Sequence, residues 1–164
     1  MSLNIFVSYS SRDLDKVDAL RSELSSTPIC VYVAEYSMPP GANINAAIGN
    51  SIAQADAFVL VWSQNARESE WVLQELGQAV SLKKPILPIV LESNLRPPES
   101  ISNIKFISFE DNPVGAMRQA RDFLYANYEA RRNQLEAAAR AQEEKDNLVK
   151  LGLGALAFWL FTRK

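Results

Sequence analysis

The run Ala57 to Trp62, AFVLVW, is apolar at every position, and a helical stretch follows it after a short polar turn. A strand that is apolar without alternation is buried on both faces, which in practice means a parallel sheet with helices above and below it. Ser69 is placed to cap the following helix, with Glu70 in the first turn, where a negative charge suits the helix dipole. Trp71 and Glu75 are four apart and therefore share a face of that helix. One carboxylate thus stands beside one aromatic ring near the carboxyl end of a buried strand, the end at which open α/β sheets bind ligands. Such pairs are more often a half-buried aromatic and a solvated acid, so spacing alone assigns no role.

Composition narrows the chemistry. The 164 residues, 48% hydrophobic, suffice for one well-buried domain and an extension. A net charge of −2 provides no basic stripe to neutralise phosphates, which argues against nucleic-acid binding. With no histidine and a single cysteine, Ser-His-Asp and Cys-His mechanisms are excluded, as is a typical zinc site. Cys30 lies in an apolar run and reads as core filler in a reducing compartment. The opening MSLNIFVSYS enters a strand directly, without the pattern of a secretory signal, so a cytoplasmic location is expected.

Along the chain, strands and helices alternate. Leu3 to Ser8 reads as the first strand, and Tyr9-Ser10-Ser11 turns out of it. Ser11 or Asp13 can cap a helix bearing Leu14, Val17, Leu20 and Leu24 at helical spacing. Ile29 to Ala34 is the second strand. Glu35, Tyr36, Ser37, Met38, Pro39, Pro40, Gly41, Ala42 and Asn43 form a loop shaped by its prolines and glycine. A helix with Ile44, Ile48 and Ile52 on one face comes next, then the strand from Ala57 and the Trp71 helix. Ile86 to Leu91 is the fourth strand, where Pro88 suggests a bulge or an edge. The Pro-rich connection 93–103 can hold at most one short helix, and Lys105 to Phe109 is an edge strand. Parallel pairs need right-handed crossovers, so this alternation predicts an α/β, flavodoxin-like three-layer sandwich with a five-stranded parallel sheet.

Pro113 suits the first position of a last helix, whose stripe of Val114, Met117, Ala120, Leu124 and Tyr128 is expected to pack on the sheet. Residues 128–147 are charged and Ala-rich, an exposed helical extension with Glu136 four residues before Arg140. Residues 148–164 turn apolar again. Leu151 to Phe161 would reach only about 17 Å as a helix, short of a bilayer core of roughly 30 Å. Three roles stay open for this segment: a membrane-dipping or short tail anchor, a partner-helix or self-association segment, and a cap on the domain.

Four segments in order carry a resemblance. IFVSYSSRD resembles the first box of the Toll/interleukin-1 receptor (TIR) domain. VYVAEYSMPPG is similar to its second box and BB loop, SEWVLQEL to the W-x-x-x-E pattern of its third helix, and KKPILPIVL to its fourth strand. Ser37 stands where many members have Asp, and no Phe-Trp third box follows Phe109. The resemblance covers residues 1–127 and implies one of two activities, assembly alone or cleavage of NAD+ at the nicotinamide ribosyl bond. In catalytic members a third-helix glutamate maps to Glu75 and the tryptophan before it to Trp71. Tyr9, Ser10, Ser11 and Asn43 would border the NAD+, which enters as substrate, with no cofactor or metal. The same resemblance implies self-association through the BB loop, Glu35 to Gly41, and a place in prokaryotic antiphage defence.

The chemistry accommodates this inventory. Nicotinamide departs as a neutral amine from a cationic pyridinium, so one carboxylate that stabilises an oxocarbenium-like transition state can suffice. A non-catalytic TIR scaffold is the competing expectation. A response regulator is disfavoured because Ser8-Tyr9-Ser10 replaces its acidic cluster, and a dinucleotide-binding Rossmann enzyme because no G-x-G-x-x-G turn is present.

Overall fold

The computed structural model describes the backbone of residues 2–32 and 44–161, and side chains over 2–32 and 46–149. Five parallel strands form one sheet: β1 (Leu3–Ser8), β2 (Ile29–Tyr32), β3 (Ala57–Trp62), β4 (Ile86–Val90) and β5 (Ile107–Ser108), in the order β2-β1-β3-β4-β5. The helices are α1 (Leu14–Leu24), α2 (Ile44–Gln54), α3 (Gln64–Arg67), α4 (Glu70–Ser81) and α5 (Pro113–Phe161). This is the flavodoxin-like α/β architecture that the alternation of elements predicts.

Right-handed crossovers set the layers. The chain steps one way from β1 to β2 and the other way from β2 to β3 and β4, so α1 lies on the opposite face of the sheet from α2 and α4. The α2/α4 face is filled by Phe6, Phe58, Leu60, Trp62 and Val90 packed with Ile48, Ile52, Val72, Leu76 and Ala79. Phe6 and Phe58, partners across β1 and β3, stack with ring centroids 5.6 Å apart. The alternate strand residues Ile5, Val7, Val59, Val61 and Ile89 are buried on the other face.

Several expectations change on contact with the tertiary structure. Pro88 lies in the ladder without a bulge, paired with Leu60 in a strand that has a neighbour on each side. The Leu91 N–H donates to the Trp62 carbonyl, so by alternation the Pro88 nitrogen faces β5, which begins only opposite Ile89. No ladder bond is lost. The edge strand β5 is shorter than the run Lys105 to Phe109 suggests, and only Ile107–Ser108 pair. Cys30 is exposed, because β2 is the other edge of the sheet. Val114 is also exposed, and Ala116 takes its place in the buried stripe with Met117, Ala120 and Leu124. The turn after β3 is not merely polar: Ser63 caps the short α3 by accepting from the Ala66 N–H at 2.9 Å.

Two compact units divide the chain, Met1–Ala126 and Asn127–Lys164. The first contains the sheet. In the second, α5 continues as helix with its residues largely exposed through Val149. Glu136 meets Arg132 at 3.6 Å, and Arg132 also meets Glu129 at 3.2 Å, whereas the spacing alone suggested Arg140 as the partner of Glu136. Among the described residues no helix is long and apolar enough to cross a membrane. The expected roles of 148–164 rest mainly on side chains outside those described.

Candidate active site

The carboxyl ends of β1 and β3 lie side by side where the chain reverses direction across the sheet, and the polar side chains gather there. Ser8 ends β1 two residues after Phe6, so it faces the same side, toward α4. Its hydroxyl donates to Glu75 Oε2 at 2.5 Å. Glu75 is only 7% exposed and Ser8 1%. A carboxylate this far from water is costly unless hydrogen-bonded, and the Ser8 hydroxyl both satisfies and orients it.

The geometry of α4 explains how Glu75 arrives there. Ser69 caps the helix, accepting from the Val72 N–H at 3.4 Å, as its position in the sequence suggests. Val72, Leu76 and Ala79 anchor one face against the sheet. Glu75 falls on that inward face at the helix's second turn. Trp71, one turn earlier, is 50% exposed. The common expectation for such a pair is thus met by the aromatic and reversed for the acid.

The turn after β1 is held by a second carboxylate. Residues Ser11–Asp13 form one 3-10 turn ahead of α1, closed by the Asp13 N–H donating to the Ser10 carbonyl at 2.8 Å. The Asp13 side chain does not cap α1, although Asp13 is one of the two residues that the sequence offers for that cap. Instead Oδ2 accepts from the Ser63 hydroxyl at 2.5 Å and Oδ1 from Asn65 Nδ2 at 3.0 Å. Of the residues expected to border a ligand, Ser10 is buried, Tyr9 half-buried and Ser11 exposed. Asn43 and the loop from Glu35 to Gly41 lie outside the described residues.

Sequence reasoning did not single out Ser8, Asp13 and Ser63 as site residues. The signal available for Ser8 was a hydroxyl closing the strand right after the apolar run Ile5 to Val7, on the same face as Phe6. No comparable signal marks Ser63, whose partner is 50 positions away.

A parallel sheet of this order, with a buried carboxylate over the end of its first strand, is an α/β domain of the class whose ligands bind at the switch point. The chain matches the family model described as TIR domain over residues 5–125, and it belongs to that family. It is 26% identical over 132 residues to a probable 2′ cyclic ADP-D-ribose synthase of Brachypodium distachyon, a match that covers 77% of this chain and 55% of that protein. The chain therefore spans about half the length of that curated relative. Among solved structures, the TIR domain of the Toll-related receptor TRR-2 from Hydra magnipapillata superposes with a TM-score of 0.63 at 18% identity, covering 73% of this chain and 96% of that one. A 2-deoxyribosyltransferase from Bacillus psychrosaccharolyticus superposes with a TM-score of 0.57 at 15% identity, over 72% and 90% of the two chains. These structural likenesses speak to the fold alone.

Proposed function

We propose that the chain cleaves NAD+ at the nicotinamide ribosyl bond, with Glu75 as the catalytic carboxylate. The observation that carries this reading is the burial of Glu75 at the end of β1, with its carboxylate held by the Ser8 hydroxyl. A family relative named as a probable 2′ cyclic ADP-D-ribose synthase supports the same class of substrate.

The chemistry follows from the charges. The bond from the ribose C1′ to the pyridinium nitrogen breaks, and its electron pair leaves with nicotinamide, which becomes neutral. Positive charge passes to C1′ and the ring oxygen. A carboxylate in a water-poor setting stabilises that charge far more than it would in bulk solvent, and needs little reorganisation when its position is already fixed. Glu75 would also accept hydrogen bonds from the ribose hydroxyls, with Tyr9, Ser10 and Ser11 lining the approach from the β1 turn. Water then captures C1′, giving ADP-ribose and releasing a proton; capture by a hydroxyl of the ADP-ribose itself gives a cyclic product.

The direct test incubates the purified chain at high concentration with NAD+ and separates the products by chromatography. Nicotinamide release that disappears in Glu75→Ala supports the reading, whereas release that persists in the variant refutes it. Activation by self-assembly belongs to the same proposal, since clustering raises effective concentration. Specific activity that climbs with protein concentration supports it, and a flat dependence counts against it. Antiphage defence is the proposed setting, tested by phage challenge of cells expressing the wild type or Glu75→Ala.

One observation favours a second reading, a non-catalytic scaffold. Trp71 is half exposed on α4, with Leu73 exposed on the same helix, so its ring is also available to a protein partner. Absence of nicotinamide release at every concentration would select this reading.

A further inference from the structure

We propose that Asp13 is a positioning residue for the Glu75 site: a latch that fixes the Tyr9–Ser11 turn against the start of α3, the short helix that leads into α4. This rests on the NAD+-cleaving reading for its consequence in catalysis, and on geometry alone for the latch itself. The two carboxylates serve opposite faces of the sheet. Ser8 faces α4 and Glu75, whereas Ser63, one residue past Trp62, follows the alternation to the α1 side and meets Asp13.

Asp13 ties its own turn and the neighbouring strand end together. Its N–H closes the turn on the Ser10 carbonyl at 2.8 Å, and its carboxylate takes the Ser63 hydroxyl at 2.5 Å and the Asn65 amide at 3.0 Å. Ser63 in turn accepts from the Ala66 N–H at 2.9 Å, and the Ala66 carbonyl accepts from the Ser69 N–H at 3.1 Å. Ser69 is the cap of α4, the helix that carries Glu75. A continuous set of hydrogen bonds therefore runs from the turn expected to face the substrate to the helix holding the catalytic carboxylate. Asp13 is 7% exposed, and its buried carboxylate accepts from two side chains of a neighbouring segment instead of capping its own helix.

Geometric tolerance at a reacting centre is small, and a displacement of about 1 Å can cost roughly a hundredfold in rate. Loosening the latch should therefore lower kcat more than it alters KM, since the groups that touch substrate remain present.

The test uses Asn65→Ala, which removes one arm at a partly exposed site, and the exchanged pair Asp13→Asn with Asn65→Asp, which restores a donor facing a carboxylate. Amide hydrogen exchange across Tyr9 to Asp13 is measured beside nicotinamide release. In Asn65→Ala, exchange in that turn should quicken roughly tenfold while the core strands stay protected, and kcat should fall roughly ten- to a hundredfold. The exchanged pair should recover most of both. Unchanged exchange in the turn overturns the latch whether or not the chain cleaves NAD+. Faster exchange with kcat and KM at wild-type values overturns its catalytic role. Faster exchange in a chain whose wild type releases no nicotinamide sustains the latch and defeats the NAD+ reading.

Discussion

Replacing Ser8 by alanine removes the hydroxyl that donates to Glu75 across 67 positions of sequence. A hydrogen bond to a charged group contributes about 1.5–3 kcal/mol net, and removing one partner leaves the other buried with less than its full set. The unit Met1–Ala126 should gain unfolding entropy of roughly 0.26 kcal/mol per kelvin, from about 2.1 cal/mol/K per residue. Dividing the two gives a fall in Tm of about 6–11 °C for Ser8→Ala. Glu75→Gln provides the contrast: a carboxamide oxygen still accepts from Ser8, so Tm should move by less than about 4 °C, equivalent to roughly 1 kcal/mol. Its loss of charge should nonetheless lower nicotinamide release by about 10²–10³, the range seen when one electrostatic stabiliser is removed from a transition state. Differential scanning fluorimetry and a chromatographic nicotinamide assay read the two effects on the same samples. If Ser8→Ala melts within about 2 °C of wild type, its bond to Glu75 contributes under roughly 0.5 kcal/mol and the desolvation argument fails. If Glu75→Gln keeps its rate within a factor of about two, the carboxylate's charge has no part in the chemistry.

The Lys84 ammonium donates to the Ala53 and Ala55 carbonyls at 2.5 and 2.7 Å, at the carboxyl end of α2, so Lys84→Met should cost about 1–2 kcal/mol, measured by urea unfolding; an unchanged midpoint would refute it. Gly115 lies at the start of α5, where a Cβ would collide with the Asn112 carboxamide that caps it by accepting the Gly115 N–H at 2.9 Å. Gly115→Ala should therefore bring none of the roughly 1 kcal/mol that alanine ordinarily adds to a helix, and a clear rise in Tm would contradict the cap. Glu110 accepts from Ser93, which holds its carboxyl below the usual glutamate range. A pKa lower in the folded than in the unfolded chain makes this contribution full above the unfolded value and lost as pH falls through the folded one; an NMR titration of the Glu110 side chain that gave an ordinary midpoint would exclude it.

How far the site could be seen in the sequence depended on the range over which each signal acts. The uniform apolarity of Ala57 to Trp62 and the run Leu3 to Ser8 match β1 and β3 residue for residue, because hydrophobic patterning records burial directly. Ser69 before an amphipathic run identified the cap of α4, an interaction completed within three residues. Cys30 went the other way, since an apolar neighbourhood does not reveal that β2 is an edge. Pro88 misled for a related reason: its cost depends on which neighbour its nitrogen faces and on where β5 begins.

The amino-acid sequence by itself determined the alternation of strands and helices and the cap of α4, and its lack of histidine rules out histidine-based chemistry. Those follow from periodicity, local capping and composition, which operate over a few residues or over the whole chain at once. Only the tertiary structure decided that Glu75 is buried with Ser8, while Asp13 turns from capping its own helix to receive Ser63 and Asn65. A periodic pattern specifies which face a side chain takes; strand order and register specify which residue waits on the other side.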